Sequence, residues 1–291
     1  MELVLVRIAS LVAVAAVYML FDVFNRRNVP SLFAYATLGY GALLTLLYLN
    51  GTLILTSLAI AAIVVAVGYL IFKMGQLGAA DVIELAALSL ILPVQPTPII
   101  YKIGQFGLPF LFSVLVNMGI LTLIMIPIYY IPRARRMAKR PLRSYIKTKE
   151  LVKAIGIVSA YSVFLIFLFY IGAGIAGIGI VLLVLVGSLL TVLFEEPVTE
   201  SMVEYAGWKE MEEGDMIAFN LMEAGEISKI RERIKSFDRL VTKAMLEEMK
   251  KKKSRAKVPI YRNAVPLALP IFIGVVLALL IGNMMLFILP I

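Results

Sequence analysis

The sequence lacks two residue types on which much of enzyme chemistry depends, because its 291 residues include no cysteine and no histidine. Without cysteine the chain has no disulfide bond, no thiol nucleophile and no cysteine zinc site. Without histidine, Ser–His catalysis and the two-histidine zinc motif of metalloproteases are excluded. Aspartic hydrolysis, which needs only carboxylates and water, is then the leading hydrolytic option, and we expect no cofactor and no metal.

Charge is also scarce: Asp, Glu, Lys and Arg make up 16% of the chain, against 61% apolar residues and a mean hydropathy of +0.95. Long uncharged runs recur, each near the ~20 residues that a helix needs to cross a bilayer. We predict an all-α polytopic membrane protein with about eight transmembrane helices and a small cytoplasmic domain before the last helix. The predicted spans are residues 3–23, 31–49, 52–72, 79–94, 105–131, 153–170, 174–194 and 264–289.

The apolar run 154–194 is about twice as long as one span. Its glycines, from Gly172 to Gly177, predict a turn that folds the run into a hairpin. The predicted organisation is a membrane core (1–131), a basic cytoplasmic loop (132–153), the helical hairpin (154–194), a cytoplasmic domain (195–263) and the last transmembrane helix (264–291).

The net charge of +9 is distributed around the apolar runs, which favours lipid contact and argues against nucleic acid. Placing Arg26 and Arg27 inside puts most other basic residues inside as well, as the positive-inside rule expects. Only Arg7 and Lys102 then lie near the outer side. This agreement predicts a multi-pass protein of the cell membrane, with membrane lipids as partners.

Acidic residues are almost absent from the apolar part. Outside the predicted cytoplasmic loops and Glu2, only Asp22, Asp81 and Glu84 remain. An ionisable group at membrane depth is costly, so each is a functional candidate. Asp22 ends the first span and Asp81 begins the fourth, which predicts that both lie at the cytoplasmic face. There they can share a proton and activate a water molecule.

Helix direction suggests which of the two aspartates acts as the base and which acts as the acid. Asp81 lies at a helix N-terminus, where the dipole favours the base, and Asp22 at a helix C-terminus, where it favours the acid. Gly78 permits close backbone approach of a peptide. Glu84, one turn beyond Asp81, lines a wet cavity, binds a basic substrate residue, or is a polar group without catalytic duty.

The run Gly78-Ala79-Ala80-Asp81 resembles the glycine-x-glycine-aspartate (GxGD) motif of type IV prepilin peptidases and presenilins. The likeness is greater to the archaeal preflagellin and prepilin peptidases, in which alanine is common before the aspartate. In that family the first aspartate ends a span and precedes a basic loop and a hydrophobic-proline pair. The matching run here is Asp22-Val23-Phe24-Asn25-Arg26-Arg27-Asn28-Val29-Pro30.

The resemblance, best over residues 15–95, implies an aspartyl protease with Asp22 and Asp81 as catalytic residues. Such enzymes cut short basic leader peptides from prepilin-like or archaellin-like precursors at the cytoplasmic membrane surface. The acidic stretch 195–215 either attracts a basic leader or is simply a solvated acidic face. Its candidate leader-binding residues are Glu210, Glu212, Glu213 and Asp215.

Two other classes of protein fit the same residues. A secondary transporter can use Asp22 and Asp81 as a proton or cation relay, although transporters place such sites near the bilayer midplane. A non-catalytic membrane scaffold can bind a partner through residues 195–263. The position of both aspartates at the predicted membrane edge favours the peptidase.

Overall fold

The computed structural model describes residues 2–24, 29–48, 50–74, 77–100, 108–137, 141–252, 257–262 and 267–288. Arg26, Arg27 and Lys102, which support the predicted orientation, lie outside these described residues. Five helices are long and apolar enough to cross a membrane: α1 (Glu2–Phe24), α3 (Gly51–Lys73), α5 (Phe110–Met137), α6 (Thr148–Tyr170) and α7 (Ile175–Leu193). Three shorter apolar helices accompany them: α2 (Ser31–Leu46), α4 (Ala79–Ile91) and α11 (Ala268–Leu280). The chain is a helical, membrane-spanning protein.

The helix ends differ from the predicted spans where charge begins. Helix α5 continues to Met137, past the predicted end at residue 131, and carries basic residues in its last turn. The predicted loop 132–153 is therefore helical at both ends, because α6 begins at Thr148. Between α6 and α7 the chain turns at residues 171–174, where Gly172 adopts a φ of 73° that favours glycine.

Helix α4 lies inside the bundle, and residues 84–92 are all buried. Helix α2 approaches it at Gly41, where a Cβ atom would lie only 3.0 Å from the carbonyl oxygen of Ala87. Helix α3 approaches at Gly68, where a Cβ atom would lie 2.6 Å from Val82. Small residues allow helix backbones to come this close in membranes. As a result, polar groups on α4 are shielded from lipid.

Arg7 of α1 shows how the helices are oriented. Its guanidinium group is fully buried and donates to the carbonyl oxygens of Ile91, at 2.9 Å, and Leu44. It also lies 3.7 Å from the ring centroid of Tyr48. Helices α2 and α4 therefore finish at one end of the bundle, which we call the Arg7 end. Their amino termini lie at the opposite end, called the aspartate end below.

Two further helices pack along this core. Helix α11 approaches α5 at Gly274, where a Cβ atom would lie 3.0 Å from the carbonyl oxygen of Val114. Helix α7 contacts α5 at Gly187, beside Leu123. Helix α6 packs on α7, and only 6% of the apolar stretch of α6 is buried. Most of α6 therefore presents apolar side chains outward, as expected of a surface that faces lipid.

The polar segment (residues 195–263) contains helices α8 (Glu195–Met202), α9 (Ala224–Arg233) and α10 (Lys243–Lys251), with strands β1 (Val203–Ala206) and β2 (Val258–Tyr261). The strands pair antiparallel, from Val203 opposite Tyr261 to Ala206 opposite Val258. The all-α prediction therefore holds for the apolar helices, and this segment departs from it. The segment has its own core, formed by Ala206, Met211, Ile217, Ile234, Phe237, Val241, Met245, Met249, Val258 and Ile260.

Candidate functional site

Four helices converge at the aspartate end. Buried Tyr18 of α1, Ala34 of α2 and Ala268 of α11 form a small cluster, against which Ala80 and Ile83 of α4 pack. Apolar packing therefore brings the carboxyl-terminal part of α1 to the amino-terminal turns of α4 and α11. Asp22 and Asp81, predicted to meet at one membrane face, lie on the helix segments that meet here.

Asp22 contacts a helix that is remote in sequence. Its Oδ2 accepts a hydrogen bond from the backbone N–H of Ala268, at 3.0 Å. This N–H belongs to the first turn of α11, where backbone donors lack partners within the helix and the dipole is positive. The position of Asp22 near the carboxyl end of α1 suggested a protonated acid. Its actual donor instead supports the charged carboxylate, because hydrogen bonds to an ionised acceptor are the stronger kind.

Asp81 lies in the first turn of α4, and its Oδ2 accepts from the backbone N–H of Gly78 at 3.0 Å. A Cβ atom on Gly78 would lie 2.7 Å from the same Oδ2. The glycine of the motif thus leaves room for the carboxylate to fold back over the helix start. Ala79 is exposed, and Ala80 packs against the cluster around Tyr18.

Glu84 is fully buried, one helical turn beyond Asp81. Neither of its carboxyl oxygens has a hydrogen-bond partner among the described residues. It lies close enough to Asp81 and Asp22 to interact electrostatically with both. Two of the three roles considered for Glu84, lining a wet cavity and contacting substrate, need an open surface, whereas the surrounding helices bury Glu84 completely. It is a third acid beneath the two aspartates rather than part of an open surface.

Tyr18 and Thr37 belong to the same polar cluster, and reasoning from the sequence did not find them. The Tyr18 hydroxyl lies 3.0 Å from Oγ1 of Thr37, whose own proton goes to the carbonyl oxygen of Ala34 at 2.8 Å. Tyr18 therefore donates to Thr37, and it also interacts electrostatically with Glu84 and Asp81. Its position four residues before Asp22, on one helix face, was the available signal.

An apolar groove lies on the carboxyl-terminal part of α1, the part of the helix that also carries Asp22. Its volume is about 360 Å³ and it is lined by Val17, Leu20, Phe21 and Phe24. Phe21 also packs against Phe33 of α2, with ring centroids 5.5 Å apart. Because residues three and four apart share one helix face, these side chains form a continuous apolar strip that reaches the level of Asp22. Among the described residues, no group of three or more acids is arranged to hold a metal ion.

The four predicted leader-binding acids form part of a turn after β1. Glu210 accepts from the N–H of Gly207 at 3.0 Å, and Asp215 accepts from the N–H of Glu212 at 2.8 Å. Glu213 pairs with Lys243 at 3.3 Å. Burial raises the pKa of the Asp215 carboxyl, and the Glu212 N–H and nearby Arg262 oppose that rise. Glu210, Glu212 and Glu213 remain exposed, so only part of the turn presents free negative charge.

No family model matches the chain, and comparisons with curated proteins and with solved structures found no match.

Proposed function

We propose that this protein is a membrane aspartic endopeptidase that removes short basic leader peptides from prepilin-like or archaellin-like precursors. The observation that carries the proposal is the convergence of α1, α4 and α11, which brings Asp22, Asp81 and Glu84 to one end of the bundle. In the proposed topology the apolar helices cross the cell membrane eight times, and the aspartate end lies at the cytoplasmic side.

The apolar strip on α1 supports this substrate class. A precursor of this kind carries an apolar helix directly after the cleaved bond, and the groove lined by Val17, Leu20, Phe21 and Phe24 offers such a helix an apolar surface on the part of α1 that carries Asp22. The exposed acids Glu210 and Glu212, which form no ion pair among the described residues, offer complementary charge for a basic leader.

The proposed chemistry needs only carboxyl groups and water. One aspartate takes a proton from a water molecule, and the resulting hydroxide attacks the scissile carbonyl carbon. The departing amide nitrogen gains a proton from the acids of the site. Because both aspartates accept backbone N–H bonds at helix amino termini, their orientation is fixed before substrate binds.

Cleavage by purified protein in nanodiscs tests the proposal. The probe is a synthetic precursor with a short Lys- and Arg-rich leader followed by an apolar helix. We expect Asp22→Asn and Asp81→Asn each to lower kcat about 100-fold or more. The matched control is Asp238→Asn, because Asp238 is an exposed acid of the polar segment that accepts the N–H of its neighbour Arg239 and lies outside the proposed site. Cleavage that survives either aspartate substitution would contradict the peptidase.

The burial of Glu84 near the two aspartates favours a second candidate function, a secondary transporter with a proton or cation relay. Buried acids in membrane helices are the usual elements of such relays. Proteoliposomes containing a pH-sensitive dye separate the two functions. Proton flux that depends on Asp22 and Asp81, without precursor cleavage, would favour the transporter.

A further inference from the structure

We propose that Glu84 is the third carboxyl group of this site and holds the proton that the two aspartates use. The location of the proton follows from the contacts of the three acids. Its use in peptide cleavage rests on the proposed function. Glu84 is therefore a proton-holding, positioning residue that acts through Asp22 and Asp81.

The first step of the argument concerns the donors. Asp22 receives the backbone N–H of Ala268, and Asp81 receives the backbone N–H of Gly78, each at 3.0 Å. Both donors lie at the amino-terminal start of a helix, where positive dipole ends stabilise a carboxylate. Two of the three acids thus have contacts suited to the charged form.

The second step concerns Glu84 itself, which has 0% exposure and no hydrogen-bond donor among the described residues. A charged carboxylate without a donor is costly to bury, and two nearby carboxylates add to that cost. The acidic groups that act on Glu84 are Asp81 on its own helix and Asp22 on α1. Tyr18 also faces it from α1 but donates its proton to Thr37 of α2. A proton shared by the three acids therefore resides on Glu84.

The proton balance of cleavage fits this arrangement. Hydrolysis breaks the C–N bond, adds the water hydroxyl to the carbonyl carbon and leaves one water proton with an aspartate. The leaving nitrogen gains one proton from the cluster. If Glu84 supplies that proton through the aspartates, the proton taken from water restores it. No other reactant is required.

Infrared spectroscopy of the full chain in nanodiscs tests where the proton lies, whether or not the protein cleaves peptides. A protonated carboxyl group gives a C=O stretching band that shifts when water is exchanged for D₂O. We expect this band in the wild type near neutral pH and its loss in Glu84→Gln. It should persist in Asp22→Asn and in Asp81→Asn.

Glu150 offers a matched control, because it is a second buried glutamate, with 3% exposure, but its Oε1 pairs with Lys149 at 3.3 Å. Glu150→Gln should leave the band unchanged. A band that remains in Glu84→Gln, or that disappears in Asp22→Asn or Asp81→Asn, would overturn the proposal. If Glu84→Gln does not fold, the Asp22→Asn/Asp81→Asn double variant decides: a retained band supports Glu84, and a lost band rejects it.

Kinetics then test how the proton is used. Glutamine fills nearly the volume of glutamate but cannot release a carboxyl proton, so we expect Glu84→Gln to lower kcat about tenfold or more with KM unchanged. Ser89→Ala, a buried polar change on the same helix, should alter neither constant. Unchanged kcat in Glu84→Gln would reject the catalytic use of the proton. A wild type that cleaves nothing would instead reject the peptidase, and the infrared result would still locate the proton.

Discussion

Each end of the bundle buries a side chain that can carry charge, Arg7 at one end and Glu84 at the other, and the two side chains have different partners. At the Arg7 end, the guanidinium donates to the last carbonyls of α2 and α4 and lies over Tyr48. At the aspartate end, Glu84 is equally buried but has no donor among the described residues. Folded proteins rarely leave such groups unsatisfied without a functional reason.

We interpret this difference as one between a structural charge, Arg7, and the proposed functional acid, Glu84. Helix carboxyl ends carry partial negative charge, so a buried cation there satisfies several groups at once. At the aspartate end, the positive helix starts are already occupied by Asp22 and Asp81. The third acid, Glu84, has no donor among the described residues, as the proposed proton-holding role requires.

The largest loss of stability is expected from Arg7→Met. The change removes the guanidinium bonds to the Ile91 and Leu44 carbonyl oxygens, of which Leu44 keeps the backbone N–H of Leu47, and it also removes the contact with Tyr48. We expect it to lower the unfolding free energy by about 3 kcal/mol. Thermal unfolding in detergent measures the loss. Arg136→Met, at an exposed position near the end of α5, is the control and should change little. Equal stability of the two variants would show that the Arg7 contacts do not hold the helix ends.

A smaller effect of opposite sign is expected from Glu84→Met. Replacing an unsatisfied buried carboxyl with an apolar side chain of similar length should raise the unfolding free energy by about 1 kcal/mol. The same variant should lose precursor cleavage. The same thermal measurement, run beside Arg7→Met, gives the contrast directly. A clear loss of stability would mean that Glu84 has a partner in the folded protein.

The smallest effect is expected at Glu248, a glutamate that has every partner Glu84 lacks. It accepts from the N–H groups of Lys235 and Ser236, from the Ser236 hydroxyl and from Lys252. The Lys252 ammonium, followed by these other donors, holds the pKa of the Glu248 carboxyl well below its usual range. Its stabilising contribution is therefore present above the unfolded value of about 4.3 and is lost as pH falls toward the lowered folded value.

Amide hydrogen exchange at Lys235 and Ser236 measures this contribution locally. Glu248→Gln should weaken protection near neutral pH, and its difference from the wild type should shrink in strongly acidic solution. Glu247→Gln, at the exposed neighbouring position, provides the reference variant. A difference that stays constant with pH would mean that the charge of Glu248 is not what stabilises this turn.

Hydropathy predicted the long apolar helices closely because each span is a local property of the chain. The predicted last span 264–289 was too long, because α11 ends at Leu280, shortly before Gly282 adopts a φ of 80°. The predicted spans 52–72 and 174–194 became helices Gly51–Lys73 and Ile175–Leu193. Charge placement also predicted that Asp22 and Asp81 would share one end. The ends of α5 and α6 were missed, because basic residues continue a helix beyond its apolar part.

Contacts between distant residues could not be predicted from one sequence. Strands β1 and β2 pair although more than fifty residues separate them in the sequence. Each strand has only four residues, which is too short for an alternation of apolar and polar residues to predict it. The bond from Ala268 to Asp22 likewise spans 246 positions. The direction of α1 alone therefore predicted that Asp22 lies in the negative field of a helix carboxyl terminus. The hydrogen bond that Asp22 accepts comes instead from the amino terminus of another helix, α11.

The hydrogen bond between Ala268 and Asp22 joins a late part of the chain to an early one, so it forms only after α11 has been synthesised. Asp22 leaves the ribosome early, whereas Ala268 of α11 follows it by 246 positions. During translation, the acid on α1 is therefore made long before its donor exists. A nascent chain halted before α11 would have both aspartates and yet lack the backbone N–H that Asp22 accepts in the complete fold.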